Sequence, residues 1–163
     1  MTPIRASLAA ACLSLLALTA HADLLDDIMA AKKIRISTDV AIPPAGMMDA
    51  NMQPTGSDVE TAKLLAQDWG LQIEWVPTTG ATRIPNLNTG KADIVISTLS
   101  VTPERAKIID FSKPYAVLQS VVGAPKNASI KDWGDLKGKN VTVSRGTTQD
   151  TELSAMANDK GFK

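Results

Sequence analysis

The chain has 163 residues, 44% hydrophobic and 21% charged, a globular balance that excludes disordered and collagen-like classes. Seventeen basic and seventeen acidic side chains cancel, so nothing supports a nucleic-acid footprint. The only cysteine, Cys12, and the only histidine, His21, fall in a stretch that reads as a cleaved leader. Without that leader there is no cysteine nucleophile, Ser-His-Asp triad, Cys/His zinc site or disulfide. Carboxylates, hydroxyls, Lys, Arg and backbone amides remain, and neither a metal nor a cofactor is expected.

Residues 1–22 have the layout of a signal peptide. Arg5 supplies the positive start, Leu8 to Leu18 a short apolar core, and Ala20-His21-Ala22 a small-x-small cleavage pattern before Asp23. The apolar stretch is shorter than the roughly 20 residues a membrane span needs. A lipoprotein cut at Cys12 is excluded, because most of the apolar core follows that cysteine. The expectation is export to the periplasm. Arg5 leaves with the leader, so sixteen basic and seventeen acidic residues give the remainder a net charge of −1.

From Asp23 onward the pattern alternates strand and helix. Lys33 to Ser37 alternates like a strand, and Pro43-Pro44, Gly46, Pro54 and Gly56 mark a long loop. Ser57 or Asp58 is expected to cap a helix running to Trp69, with Val59, Ala62, Leu65, Ala66 and Trp69 on one face and Gly70 as its stop. Leu71 to Val76 reads as a second strand, Ile84 to Leu87 as the start of a short helix ended by Gly90, and Ala92 to Ser97 as a third strand. This rhythm argues for an open, mostly parallel sheet. After Pro114 it changes. Val117 to Val122 reads as a crossing strand, Lys139 to Val143 as a restarted strand, and Gly146-Thr147-Thr148 as the entry to a helix containing Leu153, Met156 and Ala157. These elements divide the chain into a first lobe at 23–118, and a crossing strand plus the start of a second lobe at 119–163. So small a second lobe cannot close its own core, which reads as an incomplete lobe in a fragment.

In open α/β sheets ligands sit beyond the carboxyl ends of the strands. Three such places carry polar groups. Ser97 to Arg105 leaves the third strand with Thr102 as a cap, Pro103 at the first helical position, and Arg105 suited to bidentate capture of a carboxylate. The alternative for Arg105 is a surface ion pair with Glu104 or Asp110. Ser144 to Asp150 offers a second strand end, Gly turn and helix start, or else a plain capped turn. Asp39, at the end of the first strand, either accepts from an ammonium or caps the following loop. Arg83 either reaches a ligand's distal acid or is solvated. Glu60 reads as a helix-end charge, Trp69 and Trp75 as packing residues, and the Lys131, Lys137, Lys139 cluster as a solvated face interleaved with Asp132 and Asp135.

These residues resemble a known family. Gly56 to Ala62 is similar to the GxDVExA stretch of the periplasmic polar amino-acid-binding proteins of ABC transporters, solute-binding protein family 3. Leu87 to Asp93 resembles their LxxGKxD turn. Ser100 to Arg105 with Asp110 to Tyr115 resembles S(I/V)TPER…DFSxPY, and Leu136 to Val141 with Gly146 to Thr148 resembles LxGKxV…GTT. The motifs follow in order over about residues 33–155.

The resemblance implies an α/β fold of the two-lobed clamshell kind, type II, with the second lobe incomplete. It implies a non-enzymatic receptor, a monomer, that binds one free amino acid and delivers it to a membrane permease. Arg105 would hold the α-carboxylate, Ser97, Thr98 and Ser100 would add polar contacts, and Thr147 and Thr148 would reach in from the second lobe. Asp39 would meet the ligand side chain. The acid that holds the α-amino group in this family would lie beyond Lys163. Ile42 stands in the loop where many members carry an aromatic residue. Thr82-Arg83-Ile84-Pro85 resembles a stretch of the glutamate/aspartate-binding members, which favours acidic or neutral polar ligands. The alternatives are an exported cyclohexadienyl or arogenate dehydratase on the same fold, for which Asp39 and Glu60 are the available acids, and the sensory domain of a larger receptor.

Overall fold

The computed structural model describes residues 23–162, so the expected leader lies outside the described residues. The chain divides into two units at Lys32 and Lys33, each taken by itself. In the first, α1 (Leu24–Ala31) starts at Asp23, whose carboxylate accepts from the Leu25 N–H at 3.3 Å, and stops at Lys32 in the left-handed region. The sequence reading missed this helix, although Asp23 before Leu-Leu-Asp-Asp is a cap with an acidic first turn.

The second unit begins with β1 (Lys33–Thr38). A loop follows that carries the two-residue antiparallel pair β2 (Met47–Met48) and β3 (Pro54–Thr55). Then come α2 (Ser57–Trp69), β4 (Gln72–Pro77), α3 (Arg83–Asn88) and β5 (Ile94–Val95). Single 3-10 turns cover Arg105–Lys107 and Trp133–Leu136, and α4 (Thr148–Lys160) closes the described chain.

The expected parallel sheet is present in the order β4-β1-β5. β1 pairs with β4 from Lys33↔Gln72 to Thr38↔Pro77, and with β5 at Ile36↔Ile94 and Ser37↔Val95. The central strand is covered on both faces, so Ile34, Ile36, Ser37 and Thr38 are all buried. The third strand is shorter than the expected 92–97. Hydrogen bonds with β1 run only from the Asp93 N–H (to Arg35 O) to the Ile96 N–H (to Ser37 O), while the Ala92 N–H turns to Asn86 O beneath α3. Asp93 also anchors Arg35: its carboxylate accepts from the Arg35 backbone N–H at 2.8 Å, from Nε at 3.2 Å, and from Nη2.

α2 buries Val59, Ala62 and Ala66 as its periodicity predicts, and Gly70 ends it in the left-handed region. Two expectations for this helix are corrected. The cap is Gly56, with no side-chain cap bond, rather than Ser57 or Asp58. The Ser57 and Asp58 N–H groups donate instead to Pro44 O and Ala45 O, so the loop after β1 covers the helix start. Trp69, the last residue of the helix, is 38% exposed rather than buried with Val59, Ala62 and Ala66.

The two later strands are also corrected. Neither Val117–Val122 nor Lys139–Val143 forms one, and Val117 is 96% exposed. A strand needs a neighbour to take its backbone hydrogen bonds, and although residues 120–124 and 139–143 line one cavity, neither is paired as a strand among the described residues. The helix expected after Gly146 is present as α4, with the Thr147 hydroxyl accepting from the Asp150 N–H at 3.1 Å. Asp132 and Asp135 cap the 3-10 turn at Trp133–Leu136 by mutual bonds, which accounts for the acids between the three lysines.

Candidate functional site

The carboxyl ends of β1, β4 and β5 lie side by side, and the polar residues that follow them form one bonded group. The Asp39 N–H donates to the Ser97 hydroxyl at 2.9 Å, and the Thr38 hydroxyl donates to Ile96 O. The Thr78 N–H donates to Thr38 O, and Asn86 on α3 donates to the Ser37 hydroxyl at 3.1 Å. Ser37, Thr38, Asp39, Thr78, Asn86 and Ser97 are all buried, so the ends of three strands are locked together by side chains as well as by the sheet.

Asp39 and Arg83 meet in this group. Arg83 Nη2 donates to Asp39 Oδ2 at 3.3 Å, with the residues only 5% and 7% exposed. The other Asp39 oxygen accepts from the Ala41 N–H at 3.0 Å. Of the two sequence alternatives for Asp39, the loop cap is present, and the carboxylate is also paired with Arg83 rather than with an ammonium. The solvated alternative for Arg83 is excluded, and its Nε is buried without a partner.

The Ile42 backbone closes a tight turn, its N–H donating to Gly46 O at 3.0 Å and its carbonyl accepting from Ala45 and Gly46. The side chain is half-buried. Gly46 is obligatory here, since a methyl group on it would stand 1.9 Å from the Asp39 carbonyl oxygen.

Arg105 forms neither of the ion pairs weighed for it. The helix start expected at Thr102-Pro103 is corrected: the Thr102 hydroxyl accepts from the Arg105 N–H at 3.2 Å, but only the 3-10 turn at Arg105–Lys107 forms, with Glu104 as its N-cap and no side-chain cap bond. The guanidinium lies across two segments, with Nη1 donating to Ser100 O at 2.9 Å and Nη2 to Gly146 O at 3.0 Å. Burial, and then the positive charge of Arg83, push its pKa down. Arg105 is thus bonded to backbone carbonyls on both sides rather than waiting free. A guanidinium has five N–H donors, so the remaining ones can still meet a carboxylate.

The Gly146 turn lies directly against the loop after β4. A methyl group at Gly80 would stand 2.7 Å from Arg145 O, and one at Gly146 2.7 Å from Ala81 Cα. The structure therefore brings Asp39, Arg83, Ser97, Thr98, Ser100 and Arg105 to the strand ends, with the 144–148 turn against them. Thr147 is the least available of these, because its hydroxyl both donates to Ser144 O at 2.8 Å and caps α4. Thr148 is half-buried, its hydroxyl 3.3 Å from Gln149 Oε1.

Sequence reasoning missed Asp58. It is 2% exposed, and Oδ1 accepts from the Tyr115 hydroxyl at 2.9 Å. Burial raises its pKa, against the hydrogen bond from Tyr115, the Thr98 N–H and the charge of Arg83. The recurring DFSxPY motif contained the tyrosine, but nothing in the spacing joins it to a residue 57 positions earlier.

Comparison with known proteins identifies the family. The model for "Bacterial extracellular solute-binding proteins, family 3" matches residues 34–160. ABC transporter arginine-binding protein 1 of Escherichia coli (strain K12) is 35% identical over 119 residues, 73% of this chain and 49% of that protein. L-arginine-binding protein of Pseudomonas aeruginosa is 32% identical over 81% of this chain and 51% of its own length. Among solved structures, the ancestral amino acid-binding protein AncCDT-1, a precursor of cyclohexadienyl dehydratase, superimposes with a TM-score of 0.76 at 40% identity, covering 82% of this chain and 60% of that one. The arginine-bound form of truncated ArgBP from T. maritima also gives 0.76, at 35% identity over 80% of this chain and 62% of that one. The chain spans about half the length of the curated relatives it matches. The parallel sheet and these matches are those of the type II periplasmic-binding fold, and the chain belongs to the bacterial extracellular solute-binding proteins, family 3.

Proposed function

We propose that this chain is the amino-acid-gripping part of an extracellular receptor that loads an ABC permease. The observation that carries the reading is Arg105, held between Ser100 O and Gly146 O at the carboxyl ends of a parallel sheet. A guanidinium fixed on two sides presents its remaining donors in one orientation, the arrangement that suits a carboxylate. Arg83 lies near enough to depress Arg105, and an α-carboxylate between the two cations would relieve that repulsion. Ser97, Thr98 and Ser100 would line one side, and Thr148 with the 147–148 turn the other. A ligand that touches both segments would favour the closed form, the state a permease could recognise.

The relatives are named for arginine, histidine and cystine. For this chain we favour an acidic or neutral polar ligand, because Arg83 already neutralises Asp39. A cationic side chain would find that carboxylate occupied. Ile42 in place of a flat aromatic surface points the same way. A binding rather than catalytic role is supported by the two acids weighed for a dehydratase: Asp39 is bound to Arg83, and Glu60 lies on the surface paired with Lys63 at 2.8 Å. Export through residues 1–22, action as a monomer in the periplasm, and a first lobe at 23–118 joined to the start of a second at 119–163 belong to the same reading. Titration calorimetry with a panel of acidic, neutral and basic amino acids tests it; heat only from basic ligands would overturn the preference, and heat from none would overturn amino-acid capture by this chain.

A further inference from the structure

The first turn of α2 carries a buried acid that the receptor reading does not use. Asp58 is 2% exposed, with Oδ1 held by the Tyr115 hydroxyl at 2.9 Å and Oδ2 buried without a partner. A carboxylate that served only the helix end would sit in water, as Glu60 does one turn-face away beside Lys63. Asp58 instead lines one cavity with Thr98, Ser100 and Tyr115, is bonded to Tyr115, and lies within reach of the charge of Arg83 on α3. Tyr115 and Arg83 are the titratable and charged groups that act on it, and no lysine is among them.

Thr98 is where this matters. Its φ is 45°, in the left-handed region that a β-branched residue rarely enters. It stands between Ser97, which holds the Asp39 N–H, and Ser100, whose carbonyl holds Arg105. A conformation of this kind persists only where the surroundings over-determine it. The surroundings here include Asp58 and Tyr115, which line the same cavity as Thr98. Burial and the charge of Asp58 push the Tyr115 hydroxyl far above its usual range, so it stays protonated and remains a donor.

We propose that Asp58 is a positioning residue of the ligand site: bonded to Tyr115 and lining one cavity with Thr98 and Ser100, it holds the 97–100 turn in the shape that presents Arg105. The proposal deepens the receptor reading and rests on it for the ligand, but the ordering of the turn can be measured without one.

The test is amide hydrogen exchange on the ligand-free protein, followed by calorimetry with the amino-acid panel, for Asp58→Asn, Asp58→Ala, Tyr115→Phe and Glu60→Gln. Removal of a buried charge-assisted bond is expected to speed exchange across residues 97–105 by about tenfold or more in Asp58→Ala. Exchange in β1 should stay unchanged. Asp58→Asn keeps an acceptor for the Tyr115 hydroxyl and should restore most of the protection, while Tyr115→Phe should lie between, and Glu60→Gln should match the parent. Affinity should fall in the same order. Asp58→Ala exchanging like the parent at 97–105 would overturn the proposal. If Asp58→Ala unfolds, so that β1 exchanges too, the decision passes to Tyr115→Phe, and an unchanged 97–105 segment there would overturn it. A parent protein that binds no amino acid, yet loses protection at 97–105 in these variants, would sink the receptor reading and leave the positioning role standing.

Discussion

Arg83 and Asp39 form an ion pair at the carboxyl end of the central strand, 3.3 Å apart, with both side chains shut away from solvent. Neither residue is near the other in sequence; β1 delivers the acid and the first residue of α3 delivers the base. One charge therefore stabilises the other in a place where either alone would be costly, and the pair controls what charge a ligand side chain meets.

Arg83→Ala leaves Asp39 buried and unpaired. Breaking such a pair costs about 3 kcal/mol, seen as a lower denaturation midpoint. Affinity for acidic amino acids should fall more than affinity for neutral ones. Calorimetry separates the two, and an equal loss for every ligand would remove Arg83 from side-chain selection.

Arg105→Ala should reduce amino-acid binding by about a hundredfold or more, the effect of losing two charge-assisted hydrogen bonds. Arg105→Lys should recover little of it, because an ammonium cannot hold Ser100 O, Gly146 O and a carboxylate in one plane. Tight binding by the alanine variant in a dialysis assay would take Arg105 out of the site.

Much of the sheet was legible in the sequence. The alternation of β1, the helical spacing of Val59, Ala62 and Ala66, and the stop at Gly70 are local signals, and local signals survive folding. The strand-end residues were found because a parallel sheet puts its ligands there. What was missed depends on what stands opposite. Asp58 looks like a helix-end charge until Tyr115 is seen above it. Val117–Val122 and Lys139–Val143 have the composition of strands, yet composition supplies no partner for their backbone. Trp69 keeps helical register with the core face, yet as the last residue of its helix it is 38% exposed. The anchoring of Arg105 on Gly146 could not be read from either motif alone, since it joins residues 41 apart.

The Arg35–Asp93 pair sets a pH limit on stability. Burial pushes the Asp93 carboxyl up, but the bonds from Arg35 outweigh it and hold the group below the usual carboxylate range. A lowered folded-state pKa means stability that is present above the unfolded value, about 3.9, and is lost as pH falls through the folded one. Asp93→Asn should cost about 2 kcal/mol at neutral pH, and the gap to the parent should close as thermal melts are repeated below pH 4. A gap that stays constant down to pH 2.5 would show that the charge is not what matters.

Asp58 runs the other way. Burial holds its carboxyl above the usual range, so the ionised form is penalised in the folded protein at neutral pH. That penalty is relieved as pH falls through the raised folded value toward the unfolded one. Melting temperatures of the parent, relative to Asp58→Asn, should therefore rise between pH 7 and pH 4.5. Parallel curves for the two proteins would show that the acid is not penalised by its surroundings.

The meeting of Gly80 with the Gly146 turn has one more consequence. With a missing methyl group as the whole clearance, the two backbones are already at their limit of approach. Nothing can draw them nearer, and on the receptor reading a guest that wedges between them must prop them apart. Gly80→Ala would do the same from outside, holding the jaws open by a few tenths of an ångström whatever the guest, and every amino acid should then bind more weakly by a similar factor. Two hydrogens in place of side chains thus set how near the loop after β4 and the Gly146 turn can stand.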